Sequence, residues 1–597
     1  MSKMTSRNFF KNVCDLPYGQ THRDRAALYS SCKDSKELLQ RMRLSKALGV
    51  HEGCVNTLCW NSRGDCILSG SDDQRLVITN CFLNKIVAEQ KTVHRANIFS
   101  AKYLVDNDDS IVVSCSGEGL ILVTDMTRKD QAGQRSIFKC HYGTTYNVQT
   151  VPGDCNTFLS CGEDGTVRFF DLRQRSSCLQ SSCSEDVILS WEGAVTTMAV
   201  NQMRPYQLAV GCSDSTVRLF DRRNLITKSA GGKPDDGFRK SALCSFTAPD
   251  LENALYRVTS LKFSPNGDDM LVSYSADYLY LFNIQEITAS AQSYNSNGTS
   301  TRKLSSKSAP PIKRLRLRGD WSDTGPNARP ESEEQIAQVR PTLQATLMQR
   351  MTDVLARMLN DPATRLALGG VSENAGRVDT RRDNEPGREL NVSLPNPERV
   401  SPLPSSSTAG PSTSGERDST SEDFLESDDE KAVNEEVGLH LSRTDVLTPQ
   451  AKQKYVGHRN ARTMIKEASF WGENYIMSGS DCGHVFVWDK HSAELVMLLE
   501  ADKHVVNSLQ PHPHLPLLAT SGIDYDIKLW SPMAEMPFFD SVEAERLMVR
   551  NKIMLQETRD TITVPASFMI RMLACLNQIR RGTRPLARQR RQASDLS

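Results

Sequence analysis

Leu159-Ser160-Cys161-Gly162-Glu163-Asp164-Gly165 runs on through Thr166-Val167-Arg168 to Phe169-Phe170-Asp171, and this one stretch specifies the architecture. An apolar pair leads into small residues and an acidic turn, and an alternating strand then ends in an aromatic and Asp. Alternation sets Val167 and Phe169 on one face and Thr166 and Arg168 on the other. Gly and Asp supply the left-handed and Asx geometry that so tight a corner needs. The same phrase recurs at Leu68-Ser69-Gly70-Ser71-Asp72-Asp73, Val113-Ser114-Cys115-Ser116-Gly117-Glu118 and Val210-Gly211-Cys212-Ser213-Asp214. It returns at Val272-Ser273-Tyr274-Ser275-Ala276-Asp277, Met477-Ser478-Gly479-Ser480-Asp481 and Thr520-Ser521-Gly522-Ile523-Asp524, the last two closing on Trp488 and Trp530. A period of about 40–50 residues with a Gly-His start and a Trp-Asp end is the signature of propeller blades. The expected fold is all-β: a seven-bladed WD-repeat β-propeller, closed so that no sheet edge is left open.

His51, His94, His141, His458 and His504 stand near the starts of repeats and are expected to hydrogen-bond the turn acids. With Asp164, Asp214, Asp481, Asp524, Trp488 and Trp530 they read as structural blade residues. A motif repeated seven times is no basis for a catalytic triad. The chain also lacks the phosphate-binding Gly-x-x-x-x-Gly-Lys loop, His-Glu-x-x-His and Gly-x-Ser-x-Gly. The reading is a binding module with no catalytic residues, no cofactor and no metal.

Lys+Arg and Asp+Glu both number 72, so no overall field draws nucleic acid or an anionic membrane. No apolar run of about 18 residues is present, and residues 1–16 do not read as a secretory signal. The 16 Cys include no paired Cys-x-x-Cys set. Cys115, Cys161 and Cys212 are assigned to the small-residue slot held by Gly70, Gly479 and Gly522 in other repeats, and Cys178 and Cys183 to a loop. Reduced thiols fit the cytosol or nucleus.

The chain divides into an N-terminal flexible or helical segment (1–47), blades one to five (48–285), a disordered insertion (286–450), blades six and seven (451–532), C-terminal helices (533–580) and a basic tail (581–597). Two short amphipathic helices are expected within 23–47, to cap the ring or enter a partner. The insertion, placed between blades five and six, is rich in Ser and Pro and too poor in apolar residues to fold alone. Three islands stand out in it. Lys313, Arg314, Arg316 and Arg318 alternate with apolar residues, either as an import or acidic-partner patch or as a strand or loop that packs Leu315, Leu317 and Trp321 back onto the propeller. Leu343, Leu347, Met351, Leu355 and Met358 recur at helical spacing, to meet a partner groove or the propeller itself. Ser421 and Ser427 precede acidic residues and are candidate phosphosites, or the stretch is a solvated linker. After the seventh blade, 543–557 reads as a helix, 561–565 breaks it, and a second helix precedes the basic tail.

Phe170-Asp171-Leu172-Arg173 and Phe220-Asp221-Arg222-Arg223 place Arg two residues after the strand-ending Asp in two adjacent blades. The other five blades lack that Arg; Trp488-Asp489-Lys490-His491 carries His there. Two equivalent Arg side chains on one face make a candidate interface, because the guanidinium fork is a frequent hot spot. With these tandem boxes the chain resembles the WD-repeat substrate receptors of the cullin-4 RING ubiquitin ligases. The resemblance implies that Asp171, Arg173, Asp221 and Arg223, helped by N-terminal helices, dock on the ligase adaptor, the large subunit of the damage-specific DNA-binding protein. It implies a non-enzymatic receptor that presents a protein substrate for ubiquitination, resident in the nucleus and also the cytoplasm. It implies as well the rival role, a nuclear transcriptional coactivator scaffold binding nuclear receptors. A member of that family carries a calmodulin-binding motif ahead of its sixth blade. Residues 430–455 here are acidic and show none, so calmodulin binding does not carry over to this chain.

Overall fold

The computed structural model describes residues 30–104, 109–128, 133–180, 183–225, 242–251, 256–276, 278–296, 314–317, 323–330, 446–559 and 561–564. Among these, seven four-stranded antiparallel sheets form the blades of a closed propeller. Blades 1 to 4 occupy residues 55–91, 98–138, 145–190 and 195–246, and blade 6 occupies 468–500. Blade 7 takes three strands from 506–532 and its fourth, Met42–Leu48, from near the start of the chain. Blade 5 takes three strands from 258–283 and its fourth, Gln453–Tyr455, from beyond the insertion. Two boundaries are corrected by this. Residues 42–47 are not helical but form the strand that closes the ring; upstream of it residues 30–33 are helical, as is α1, Lys36–Leu39. The insertion lies inside blade 5, between its third and fourth strands, not between blades 5 and 6.

The alternating pattern selects a neighbour rather than a solvent face. Ile111–Ser116 and Thr157–Gly162 are buried along their whole length, because each blade is sandwiched between two others. Phe158 and Phe170 enter the apolar cluster shared with blade 2, whereas Leu159, Cys161 and Val167 enter the one shared with blade 4. Seven such clusters are present, one at each blade–blade interface. The slot in the last register pair between second and third strands, next to the turn, is held by Gly70, Cys115, Cys161, Gly211, Ser273, Gly479 and Ser521. Cys212 and Gly522 lie one residue later, which corrects their assignment to it. Small size matters there: a Cβ on Gly70 would stand 2.9 Å from Ile98 Cγ2 of the next blade.

The His–acid pairs form where the turn frame permits. His51 Nδ1 lies 2.9 Å from Asp73 Oδ2 and its Nε2 2.8 Å from Ser69 Oγ. His141 repeats this with Asp164 at 3.0 Å and Ser160 at 2.6 Å. His94 binds Ser114 at 3.0 Å with Glu118 at 3.9 Å. These Ser-His-acid arrays are buried girders, since Ser69, Ser114 and Ser160 have no exposure at all. Burial pushes the His94 ring down to about 3, so it is neutral.

The expected pairs at His458 and His504 are not formed. In blade 6 the turn position holds Cys482; Asp481 sits one residue earlier and binds Lys466 Nζ at 2.7 Å, and His458 has no hydrogen-bond partner among the described residues. In blade 7 the place of the His is taken by Asp502, and Asp524 binds Lys528 at 3.1 Å. Blade 4 carries Trp191 instead: Arg218 stacks on its ring at 3.8 Å and reaches Asp214 at 2.9 Å. Trp488 and Trp530 are buried and donate to the Val456 carbonyl at 3.0 Å and to Thr520 Oγ1 at 2.9 Å.

The insertion begins with order. Asn283 caps α2 (Ile284–Ser296), whose Ile284 and Ile287 join the blade 4–5 cluster, so its start is helical rather than disordered. Arg314–Leu317 pairs in parallel with Thr561–Val564, which makes the basic island a strand, though one joined to the C-terminal segment. Asp323 ion-pairs with Arg462 and its carbonyl accepts from Arg459, while Gly325 N–H donates to the Asp481 carbonyl at 3.0 Å. The helix expected at 543–557 is α3 (Ser541–Arg559). It packs Leu547 into the blade 5–6 cluster, and Asn551 donates to the Gly457 carbonyl at 2.9 Å. The 341–359 helix, Ser421, Ser427, Lys313, Arg318, the second C-terminal helix and the basic tail lie outside the described residues. No helix among the described residues is long and apolar enough to cross a membrane.

Burial alone would raise the Asp73 carboxyl, but the bond from His51 and the backbone N–H groups of Arg75 and Glu52 outweigh it and hold it at about 2, below its ordinary 3.8. A depressed carboxylate stabilises the fold above its unfolded value and loses that contribution as pH falls toward its folded value. Urea midpoints should therefore drop between about pH 4 and pH 2, with a smaller drop in Asp73→Asn.

Candidate functional site

In every blade the second and third strands meet at the acidic turn, so these turns gather on one face of the ring, here the turn face. The third strands end on the opposite face, and there the two Asp-x-Arg boxes stand. Asp171 ends Thr166–Asp171 and Asp221 ends Val217–Asp221, each followed by a backbone turn. Asp221 caps a short 3-10 helix, Arg222–Asn224, by accepting from Arg223 N–H at 3.0 Å. Asp171 accepts from Arg173 N–H at 2.9 Å in the same way.

Each Arg side chain folds back on its own Asp. Arg173 Nε and Nη2 lie 2.9 and 2.8 Å from the Asp171 oxygens. Arg223 Nε and Nη2 lie 3.0 and 2.6 Å from those of Asp221. In both guanidinium groups Nη1 makes no hydrogen bond among the described residues. The side chains are 60% and 67% exposed while their Asp partners are nearly covered, so the boxes show fixed, solvent-facing cations. The hydrogen bond from each Arg, assisted by the backbone N–H, holds both carboxyls below the usual carboxylate range.

Two neighbours, Tyr206 and Asp154, escaped the sequence reading. The Arg223 guanidinium lies 4.1 Å above the Tyr206 ring, which fixes its plane. Asp154 approaches Arg173 Nη2 at 3.8 Å, and its charge also acts on Arg222 of blade 4, linking the two boxes. Arg222 itself donates to the Pro205 carbonyl at 3.0 Å. Tyr206 and Asp154 belong to loops between first and second strands, where no repeat signature points.

The same face carries the N-terminal anchor. Trp471 Nε1 donates to the Lys33 carbonyl at 2.8 Å, and Asp34 Oδ1 accepts from the N–H groups of Glu473 and Asn474 at 2.8 and 3.1 Å. Residues 30–41 thus cap blades 6 and 7 on the box side, with Leu39 and Met42 in the interface between them. Phe82, Leu83, Met203, Met533 and Met536 project from the loops of this face and are at least half exposed. Leu495-Val496-Met497-Leu498-Leu499 fits the Leu-x-x-Leu-Leu spacing, but it lies in the strand Leu495–Glu500 and presents no helical face.

Propeller and boxes together define a WD-repeat protein. The family described as "WD domain, G-beta repeat" matches residues 42–80, 133–171 and 494–531. Each matched stretch begins with the fourth strand of one blade and ends with the third strand of the next, so the sequence repeat is out of phase with the blade. The chain is 34% identical to human "DDB1- and CUL4-associated factor 6" over 93% of its own length and 95% of that protein's, and the mouse protein gives the same figures. Human "WD and tetratricopeptide repeats protein 1" is 29% identical over 83% of this chain and 86% of that one. The chain belongs to the DDB1- and CUL4-associated factor 6 family of WD-repeat proteins.

Because Arg173 and Arg223 are exposed, their replacement by Ala should leave the urea midpoint essentially unchanged. Asp221→Ala removes the cap of the turn and should cost about 1 kcal/mol. Urea denaturation of the three variants checks both expectations.

Proposed function

We propose that this chain is a non-enzymatic substrate receptor of a cullin-4 RING ubiquitin ligase. Its box face docks on the ligase adaptor, and another part of the molecule presents the protein to be modified. One observation carries the reading: two adjacent blades present the same fixed, exposed guanidinium on one face, stiffened by Asp171, Asp221 and Tyr206. A cation held rigid before binding loses little entropy on binding. The exposed apolar side chains elsewhere on the same face supply the area that a charged pair lacks. Relatives whose names join them to DDB1 and CUL4 support the same partner. Ubiquitin transfer by other subunits then gains from effective concentration, since a tethered target meets the transferring enzyme within one assembly. Residence in the nucleus and cytoplasm belongs to this proposal and rests on the short basic runs.

The test is capture of the purified adaptor by the full chain and by the Arg173→Ala/Arg223→Ala double variant. A hot-spot Arg is worth about 2 kcal/mol or more, so the double variant should bind at least ~30-fold more weakly while melting normally. Equal capture by both proteins would move the contact to residues 30–41. Capture by neither would overturn the receptor reading.

A further inference from the structure

Cys140, Cys178 and Cys183 come from two blades and 44 residues of sequence, yet their sulfurs all lie within 4.8 Å of one another. Cys140 follows the outer strand of blade 2, Gln134–Phe138. Cys178 and Cys183 sit in the loop leaving the blade 3 box, which returns against that same strand. A parallel bridge joins Phe138 and Cys178, with Cys178 N–H donating to the Ile137 carbonyl at 2.8 Å and Lys139 N–H to the Cys178 carbonyl at 2.7 Å. All three thiols are buried, at 0%, 4% and 3% exposure. Asp186 Oδ2 lies 3.9 Å from Cys140 Sγ, which sets a carboxylate beside the three sulfurs though outside their close group.

Two Arg side chains surround the cluster. Arg175 places Nη2 2.8 Å from Cys178 Sγ, and Nη1 3.4 Å from both Cys183 Sγ and Asp186 Oδ2. Arg168 donates to the Cys183 carbonyl. Two guanidinium N–H groups are thus aimed at sulfur, and a cysteine ligates metal only as the thiolate. Three adjacent thiolates without a cation are electrostatically prohibitive, so their deprotonation is coupled to metal binding.

We propose that Cys140, Cys178 and Cys183, with Asp186 as fourth ligand, form a structural zinc site that clamps the loop after the blade 3 box to blade 2. Zn–S bonds of about 2.3 Å at tetrahedral angles set sulfurs about 3.8 Å apart, which the present spacing reaches by small side-chain rotations. Three thiolates and a carboxylate suit a borderline-soft ion and exclude calcium and magnesium, which take oxygen ligands. The metal with four anionic ligands carries a net charge of minus two, which Arg168 and Arg175 offset. The inference stands independently of whether Arg173 contacts an adaptor.

The full chain, purified under reducing conditions from zinc-supplemented cells, should contain stoichiometric zinc. Replacing the zinc with Co2+ should give a thiolate-to-cobalt charge-transfer band and tetrahedral ligand-field bands. The Cys178→Ser/Cys183→Ser variant should lose both the metal and the bands. Peptide-level alkylation of the wild type covers a variant that fails to fold. Cys140, Cys178 and Cys183 should become reactive together on chelation, whereas Cys115, buried elsewhere, should not respond. Wild type that retains neither Zn2+ nor Co2+ overturns the proposal. So does a Cys178–Cys183 disulfide in the freshly purified chain, or alkylation of the three thiols that is indifferent to chelator.

Discussion

Closure of the ring is the constraint on which the rest of this molecule depends. Each blade buries both of its faces, and the apolar side chains are spread over seven inter-blade clusters rather than one core. No cluster is sealed until both of its blades are in place. Antiparallel pairing of Met42–Leu48 with Ile527–Pro532 completes blade 7 and so the circle. Residues 30–41, immediately upstream, are held across the loops of blades 6 and 7, which keeps the closing strand from fraying.

Blade 5 meets the same constraint a second time. Its fourth strand lies beyond the insertion, so the chain must return to Leu279–Asn283 after an excursion of more than 150 residues. Closure entropy grows only with the logarithm of loop length, so the added cost over a short loop is a few kcal/mol at most. Specific anchors offset it. Lys452 Nζ meets Asp269 at 3.0 Å, Lys490 reaches the same carboxylate at 2.9 Å, and Leu447 N–H donates to the Ser245 carbonyl of blade 4 at 2.8 Å.

Legibility in the sequence followed locality. The seven turns and the strands flanking them could be read because each is set by a dozen contiguous residues. The box arginines could be read for the same reason, since Asp and Arg lie two residues apart on one turn. What could not be read comes from segments distant in the chain. Gln453–Tyr455 is only three residues long, and both it and Met42–Leu48 find their edge on a third strand far away in the chain. The frame of the acidic turn slips by one residue in blade 6, where Cys482 takes the turn position, and that slip shows only in strand register. Tyr206 under Arg223, Asp154 between the boxes and Cys140 beside Cys178 are likewise products of tertiary proximity.

The two faces of the ring are thereby given different work. The box face holds the fixed arginines, the exposed apolar loops and the N-terminal anchor. On the turn face, Asp323 and Gly325 of the insertion are seized by Arg459, Arg462 and the Asp481 carbonyl. Asp481 is in turn fixed by Lys466, fully buried beside it. Burial opposes charge on both partners, and Lys466 and Arg459 nonetheless hold the Asp481 carboxyl below its usual range. Loss of either partner would leave the other charge stranded in the interior, which ties Asp481 to Lys466. The insertion therefore leaves the ring at the box face of blade 5, is caught on the turn face of blades 6 and 7, and rejoins along blade 4.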